Sequence, residues 1–325
     1  MLSNMQVFNE YVMPAVAQMY PQQIEKFNAA SAGAIQLQAA NFDGDFAERS
    51  FYAALHQAQR RVDRYAANSD ASGTNLSQLK DADVKVAGGF GPIVFEPSQM
   101  SWLNKPTQEA ITTITVQLIE ALMADQLNTA ILALSGAIGN NASAVLDVAG
   151  TSRVGQSSIN SGLAKFGDSS RNIVALIMTG IQYHNLVGDA IANQNNLFEI
   201  GGIAVRDGST FGQGRSVIVT DAPALRDENA GSPIQKVLGL ASGAAVIKDG
   251  GDIITNIDTT NGKQRIETSM QADYTFGLGL LGYSWDTANG GKSPSDAAIG
   301  TGANWDKTAN SDKFTAGVLI QGNEA

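Results

Sequence analysis

The sequence predicts an α+β protein in which an N-terminal arm and an extended loop precede a long spine helix and a domain of mixed sheet and helices. Three observations point there. Apolar residues recur with a helical period from Thr107 to Leu134, strand-like and helix-like segments alternate from Asn172 to Thr220, and Asn261-Gly262 sits inside a strand-like region from Ile253 to Ser269. With 325 residues the chain is long enough for two compact domains or one large one.

Residues 1–41 read as the arm. Its apolar anchors, among them Val7, Phe8, Tyr11, Val16, Tyr20, Ile24 and Phe27, are interrupted by Pro14 and Pro21. Proline inside a helix removes a hydrogen bond and clashes with the preceding turn, at about 3 kcal/mol, so short helical turns and extended links are expected. An arm cannot bury aromatics against itself, so these should pack on the body or on a neighbouring subunit.

Residues 42–103 read as an extended loop region. From Phe46 to Ala67, Phe51, Leu55, Ala58, Val62 and Tyr65 recur at spacings of four and three, the pattern of an amphipathic helix, with Arg60, Arg61 and Arg64 on its other faces. Those arginines suit a solvated face or acidic groups of a partner better than phosphate. Asn68 to Gly91 turns polar and glycine-rich, and a long unstructured excursion of this kind usually reaches for something, here another subunit. A short strand, Ile93 to Glu96, follows.

Residues 104–150 hold the spine helix. Pro106 suits its start, Ile111, Ile114, Leu118, Leu122, Ile131 and Leu134 mark its apolar face, and Gly136, Gly139 and Asn140 stop it. Residues 151–250 alternate element types: a small-residue stretch from Ser157 to Phe166, a buried strand from Asn172 to Thr179, a helix from Ile181 to Ala192, then strands at Ile203 to Arg206 and Val217 to Thr220. Residues 251–325 begin with a hairpin. A two-residue Asn-Gly turn pairs Asp258 with Arg265 and Ile257 with Ile266. Tyr274 to Trp285 continues as one long strand whose three glycines invite close backbone approach, a polar loop spans 287–312, and Phe314 to Gln321 forms a last strand.

Composition narrows the function. Hydrophobic residues make up 43% and charged residues 16%, too apolar for disorder, while the longest aliphatic stretches, such as Ile173 to Met178, fall far short of a bilayer span. No secretory signal opens the chain, so it is expected to stay in the cytoplasm where it is made. The absence of cysteine removes disulfides and thiolate chemistry. A net charge of −10 opposes phosphate binding; it fits a container whose wall must not stick to DNA at least as well as an acidic enzyme, and many soluble proteins are simply acidic.

No motif supports catalysis. The two histidines, His56 and His184, have no companion at metal-ligand spacing. Gly291-Lys292-Ser293 imitates the end of a phosphate loop, but Asp286 stands where glycine is required and Pro294 spoils the helix start. Phe42-Asp43-Gly44-Asp45 lacks the spaced oxygens of a calcium loop. The sequons at Asn75 and Asn141 carry no weight without secretion. Catalytic, cofactor-binding and metal-binding residues are therefore expected to be none, and the protein is expected not to be an enzyme.

Three stretches, in order, carry a resemblance: Ile173-Val174-Ala175-Leu176-Ile177-Met178 leading into Tyr183-His184-Asn185-Leu186, Gly214 to Pro223, and Gln264 to Tyr283. Together they span most of residues 170–285 and resemble the tailed-bacteriophage major capsid protein family, whose fold is shared with encapsulins. The resemblance implies an arm, an extended loop, a peripheral domain on the spine helix and an axial domain at the capsomer centre. It further implies a structural subunit that forms hexamers and pentamers and closes an icosahedral head around double-stranded DNA. The partners implied are scaffold, portal and decoration proteins, with DNA contacted non-specifically and no membrane. Because the arm begins at once, a separate scaffold, or one already removed, is expected. Lys80 and Lys85 lie where some members crosslink, and no crosslink is assigned. An encapsulin-type nanocompartment shell and an acidic α/β enzyme are the competing readings.

Overall fold

The computed structural model describes residues 13–38, 42, 44–52, 61–65, 67, 78–95, 108–192, 214–228, 232–250, 253–262 and 264–324, which form two mixed β-sheets packed around one long helix. In chain order the elements are α1 (Met13–Ala30), β1 (Ile35–Gln38), β2 (Phe46–Tyr52), β3 (Gln78–Phe95) and the spine helix α2 (Gln108–Gly139). Then come β4 (Val145–Asp147), α3 (Gln156–Leu163), β5 (Ile173–Met178), α4 (Gly180–Ala192), β6 (Ser216–Val219), β7 (Arg226–Asp227) and β8 (Ile234–Ala241). The chain continues with β9 (Ala245–Asp249), β10 (Ile254–Thr260), β11 (Glu267–Leu280), β12 (Tyr283–Trp285), α5 (Asp296–Gly300), β13 (Trp305–Lys307) and β14 (Gly317–Asn323). The fold is α+β, as the sequence predicts.

The smaller sheet runs β4-β14-β8-β5-β6, with β7 on β8. Both of its faces are covered, which is why β5 is an uninterrupted apolar run and not an alternating one. Along β5, β8 and β14 successive side chains serve opposite faces: Ala175, Ile177, Leu238, Leu240 and Leu319 enter one core, while Leu176, Met178, Val237, Val318 and Ile320 enter a second core with α3 and α4. The first core continues to α2 and the larger sheet.

The larger sheet runs β1-β9-β11-β12-β13, with β10 and β3 on β11 and β2 on β3. Helix α2 spans about 48 Å at ~1.5 Å per residue. From Thr129 to Ile138 only Leu132 and Gly136 are not fully buried, the signature of a helix covered all round. Val116–Gly139 is long and apolar enough to cross a bilayer, yet 56% of its most apolar stretch is buried inside this fold.

Several expectations are corrected. The arm is not broken at Pro21: α1 continues through it for 18 residues. The lost hydrogen bond is offset where Tyr20 and Ile24 bury in the main core and the Tyr20 hydroxyl donates to Gln126 Oε1 at 2.8 Å. The anchors before residue 13 lie outside the described residues. The amphipathic helix from Phe46 is instead β2, paired antiparallel with β3 from Phe46↔Val84 to Tyr52↔Gln78; residues 53–60, with His56 and Arg60, lie outside the described residues. Val62 and Tyr65 are exposed, not core-facing. The excursion is ordered by its own chain from Gln78 onward, as the long strand β3, while 68–77 lie outside the described residues.

The spine passes through Gly136 and ends at Gly139. Gly136 serves close packing: a Cβ there would sit 2.5 Å from the Gly300 carbonyl oxygen. The strand at Ile203 to Arg206 lies outside the described residues. The hairpin exists, but Ile257 pairs with Met270 and Asp258 with Ser269, leaving Asn261 to Ile266 as the connection. The register moves by four residues, an even number, so each residue keeps its face. Pairing of β11 with β3 along ten residues and with β9 along five outweighs the preference of a two-residue turn. Tyr274 to Trp285 is two strands, because Gly282 (φ 77°) turns the chain so that Leu280 pairs with Tyr283. The polar stretch 287–312 is not a bare loop: it holds α5 and β13, and Trp305 meets Trp285 edge-on at 4.8 Å.

Candidate assembly surfaces

Strand β3 is the axis of a ribbon. Its first part pairs with β2 and its second part with β11, which carries β10 on its other side. Where the ribbon joins the body, Asp81 and Asp83 point to one face of β3 because strand side chains alternate. The Asp83 carboxylate, 4% exposed, accepts from Arg49 Nη2 at 3.1 and 3.2 Å and from Lys248 Nζ at 3.0 Å. Gly279 makes the room, since a Cβ there would lie 2.2 Å from Asp83 Oδ1. Lys248 also lies over the ring of buried Phe42, 5.8 Å from its centroid, and Phe42 in turn fills the space above Gly277.

Asp81 is less well served. It shares the Arg49 guanidinium at 3.6 Å, and its Oδ1 is buried without a hydrogen-bond partner. Burial first, and the neighbouring Asp83 second, raise its pKa above the ordinary carboxylate range. Ala82 N donates to Ser284 Oγ at 2.9 Å, tying the same turn of strand to β12. The ribbon root is thus polar, buried and densely bonded.

The far part of the ribbon is the opposite. Ile93 and Val94 are consecutive in β3 and so project to opposite faces, yet they are 52% and 53% exposed. Ile254 and Ile266 on the adjoining hairpin are also exposed. Single exposed aliphatics need no explanation, but a strand end uncovered on both faces has no core of its own to rest on.

A second surface is a cleft of about 1050 Å³ between α4 and residues 221–228, lined by Thr179, His184, Asn185, Asp221, Arg226 and Glu228 among others. Its floor is a chain of hydrogen bonds. Arg226 grips Glu324 bidentately (2.6 and 3.1 Å), Gln235 Nε2 donates to Glu324 Oε2 at 2.8 Å, and Thr179 Oγ1 donates to Gln235 Oε1 at 2.6 Å. The Arg226 and Gln235 hydrogen bonds hold the Glu324 carboxyl below its usual range. Asp221 Oδ1 accepts from Gly180 N at 2.9 Å, capping α4 from a distant loop. Arg215 donates to the carbonyls of Ile173 and Ser170, both at 2.9 Å, fixing β6 against the start of β5.

His184 is exposed and meets the Tyr183 ring edge-on at 5.6 Å. Lys80 pairs with Glu48, and Lys292 with Asp45 at 3.6 Å. Asp286 accepts from the amides of Ala288 and Asn289, a turn and not a phosphate cradle. Asn141 Nδ2 donates to Asp312 at 2.7 Å. Asp43 and Asn75 lie outside the described residues. Among the described residues no cluster of three His, Asp or Glu could hold a metal ion. The ribbon-root cluster is not among the residues the sequence singles out, although Asp81-Ala82-Asp83-Val84-Lys85-Val86 carries its signal: charge and small or aliphatic residues alternating with period two.

A protein family described as major capsid protein 13-like matches residues 4–319. No curated protein matches the sequence. Among solved structures, the capsid of cyanophage Pam1 is similar with a TM-score of 0.52 at 11% identity, over 90% of this chain and 88% of that one. The acidic stable capsid of Helicobacter pylori bacteriophage KHP30 is similar with a TM-score of 0.51 at 10% identity, over 91% and 89%. The head structure of Helicobacter pylori bacteriophage KHP40 gives 0.50 at 10% identity, over 90% and 88%. At such identities the likeness is one of fold.

Proposed function

The chain belongs to the major capsid protein 13-like family, and from that premise we propose that it forms hexamers and pentamers that close an icosahedral head around the double-stranded DNA of a tailed phage. As a major capsid protein it is a structural shell subunit and not an enzyme, and its place is the virion capsid. The observation that carries the assembly reading is the ribbon end, where Ile93 and Val94 are exposed on opposite faces. Aliphatic surface uncovered on both sides is stabilised by a second chain, at roughly 25 cal/mol per Å² buried. Repeated contacts between identical copies close into rings and shells.

Residues 1–41 act as the arm, 42–103 as the extended loop, 104–150 as the peripheral spine, 151–250 as the axial domain, and 251–325 as the hairpin and return strands. Scaffold, portal and decoration proteins are the further partners, and assembly takes place in the host cytoplasm. The net charge of −10 favours loose, non-specific contact with packaged DNA. Negative-stain microscopy of the protein, alone and co-expressed with the products of neighbouring genes, tests this: closed shells are expected. A chain that remains monomeric at all concentrations and with every scaffold candidate would overturn it, and shells enclosing a protein cargo in place of DNA would move it to the nanocompartment class.

A further inference from the structure

We propose that Asn261 is a site of spontaneous deamidation, selected by the structure over the other Asn-Gly pair of the chain, Asn289-Gly290. The reaction needs no enzyme. The backbone nitrogen of the following glycine, its proton taken by solvent base, attacks the asparagine Cγ; a C–N bond forms, ammonia leaves, and a cyclic imide results. Water then opens the imide at either carbonyl, giving aspartate or isoaspartate. Two conditions control the rate: the glycine N–H must be free, and the backbone must be able to swing that nitrogen onto Cγ.

Asn261 meets both. It lies with Gly262 in the exposed connection between β10 and β11, and neither Asn261 nor the Gly262 N–H makes a hydrogen bond to another described residue. Apart from its two chain neighbours, no atom lies within 4 Å of the place a Gly262 Cβ would occupy, so nothing packs against the glycine there. Asn289 meets neither. Gly290 N, the would-be nucleophile, donates to Asp286 O at 2.8 Å. The Asn289 side chain donates to Asp286 Oδ2 at 2.5 Å and its own amide to Asp286 Oδ1 at 3.2 Å. Gly290 is also pressed on Trp285, where a Cβ would come within 2.1 Å of Cζ2. Identical dipeptides are thus held open at one site and locked at the other.

The product changes the ribbon. A neutral turn residue becomes a carboxylate near Asp258 and Glu267, in the same connection as exposed Ile266, and the isoaspartate form lengthens the main chain by one methylene. The chemistry is independent of assembly, so it stands or falls apart from the shell reading.

The test is a time course of the purified full-length chain in warm, mildly alkaline buffer, native and in denaturant, with peptide mapping by mass spectrometry and isoaspartate detection at both sites. In denaturant both asparagines should convert at comparable rates. In the native chain Asn261 should convert at least about tenfold faster than Asn289, a barrier difference of ~1.4 kcal/mol or more. Asn261→Gln should abolish the native-state signal while leaving the chain folded. Native conversion of Asn289 as fast as that of Asn261, or an inert Asn261 in a native chain whose denatured control reacts, would overturn the proposal.

Discussion

Replacing Asp83 with Asn removes the negative charge that two cations share at the ribbon root while preserving its shape. Arg49 is 62% exposed and can turn to Asp81 or to water, so its loss contributes less than ~1 kcal/mol. Lys248 is 23% exposed and is left against the Phe42 ring, with Asp83 its only carboxylate at contact distance among the described residues. Breaking a buried pair by removing one partner costs roughly 3–5 kcal/mol, and partial exposure of Lys248 places this pair at the low end, about 3 kcal/mol. Lys248→Met should cost about 2 kcal/mol, because Asp83 keeps Arg49. The double variant should not cost their sum but about 3 kcal/mol, for a coupling near 2 kcal/mol, since neither charge is then stranded. Urea unfolding of the unassembled chain, followed by the fluorescence of Trp285 and Trp305, measures all three. If the double variant equals the sum of the singles within ~0.5 kcal/mol, Asp83 and Lys248 are neighbours without being an energetic pair, and the account of the root fails.

Asp81→Asn should stabilise the chain at neutral pH: the raised pKa of Asp81 means its contribution is present in acid and lost as pH rises through the folded value, so the variant's midpoint should be flatter with pH across and above the carboxylate range. A steeper pH dependence would refute the sign. Gly277→Ala places a Cβ 2.0 Å from Phe42 Cδ2 and should cost about 1–3 kcal/mol in thermal unfolding, with Phe42→Ala in the same chain relieving most of the clash. Ile93→Asp with Val94→Asp should leave the unassembled chain's stability within roughly 0.5 kcal/mol and sharply lower particle yield in negative stain; unchanged yield would remove the ribbon end from assembly. Glu324→Gln should raise hydrogen exchange along β14 at neutral pH. Because the Glu324 pKa is lowered, the wild-type advantage should vanish only as pH falls through that lowered value.

Periodicity was legible where one force decides the outcome. The run Ile173 to Met178 and the helix after it follow from burial alone, and both stand within a residue or two of their expected bounds. Periodicity misled where long-range pairing competes. The spacing that starts at Phe51 fits a helix, but over Phe46–Tyr52 β3 offers β2 a full ladder of hydrogen bonds and matched charges, Glu48 with Lys80 and Arg49 with Asp81 and Asp83; Leu55 and Ala58 lie outside the described residues. The Asn-Gly signal found the hairpin without its register, which β3 and β9 decide through β11. In the sequence Gly282 is one more glycine in a strand-like run; only its positive φ and the Leu280–Tyr283 pairing mark it as a turn. The two surfaces were least legible, because in the sequence a half-exposed aliphatic such as Ile93 looks the same as a core aliphatic.

The chain leaves the smaller sheet at Ala241 and enters the larger at Ala245, with only Ser242, Gly243 and Ala244 between. That corner is grasped from the amino-terminal side: Gly243 N donates to Gly33 O at 2.7 Å, and β1 runs parallel to β9 from its first residue. The two plates share one core behind so short a bracket, and a strut lies across the join. The segment Ser31–Gln38 holds the corner and the edge of the larger sheet together, so it braces the join from one side.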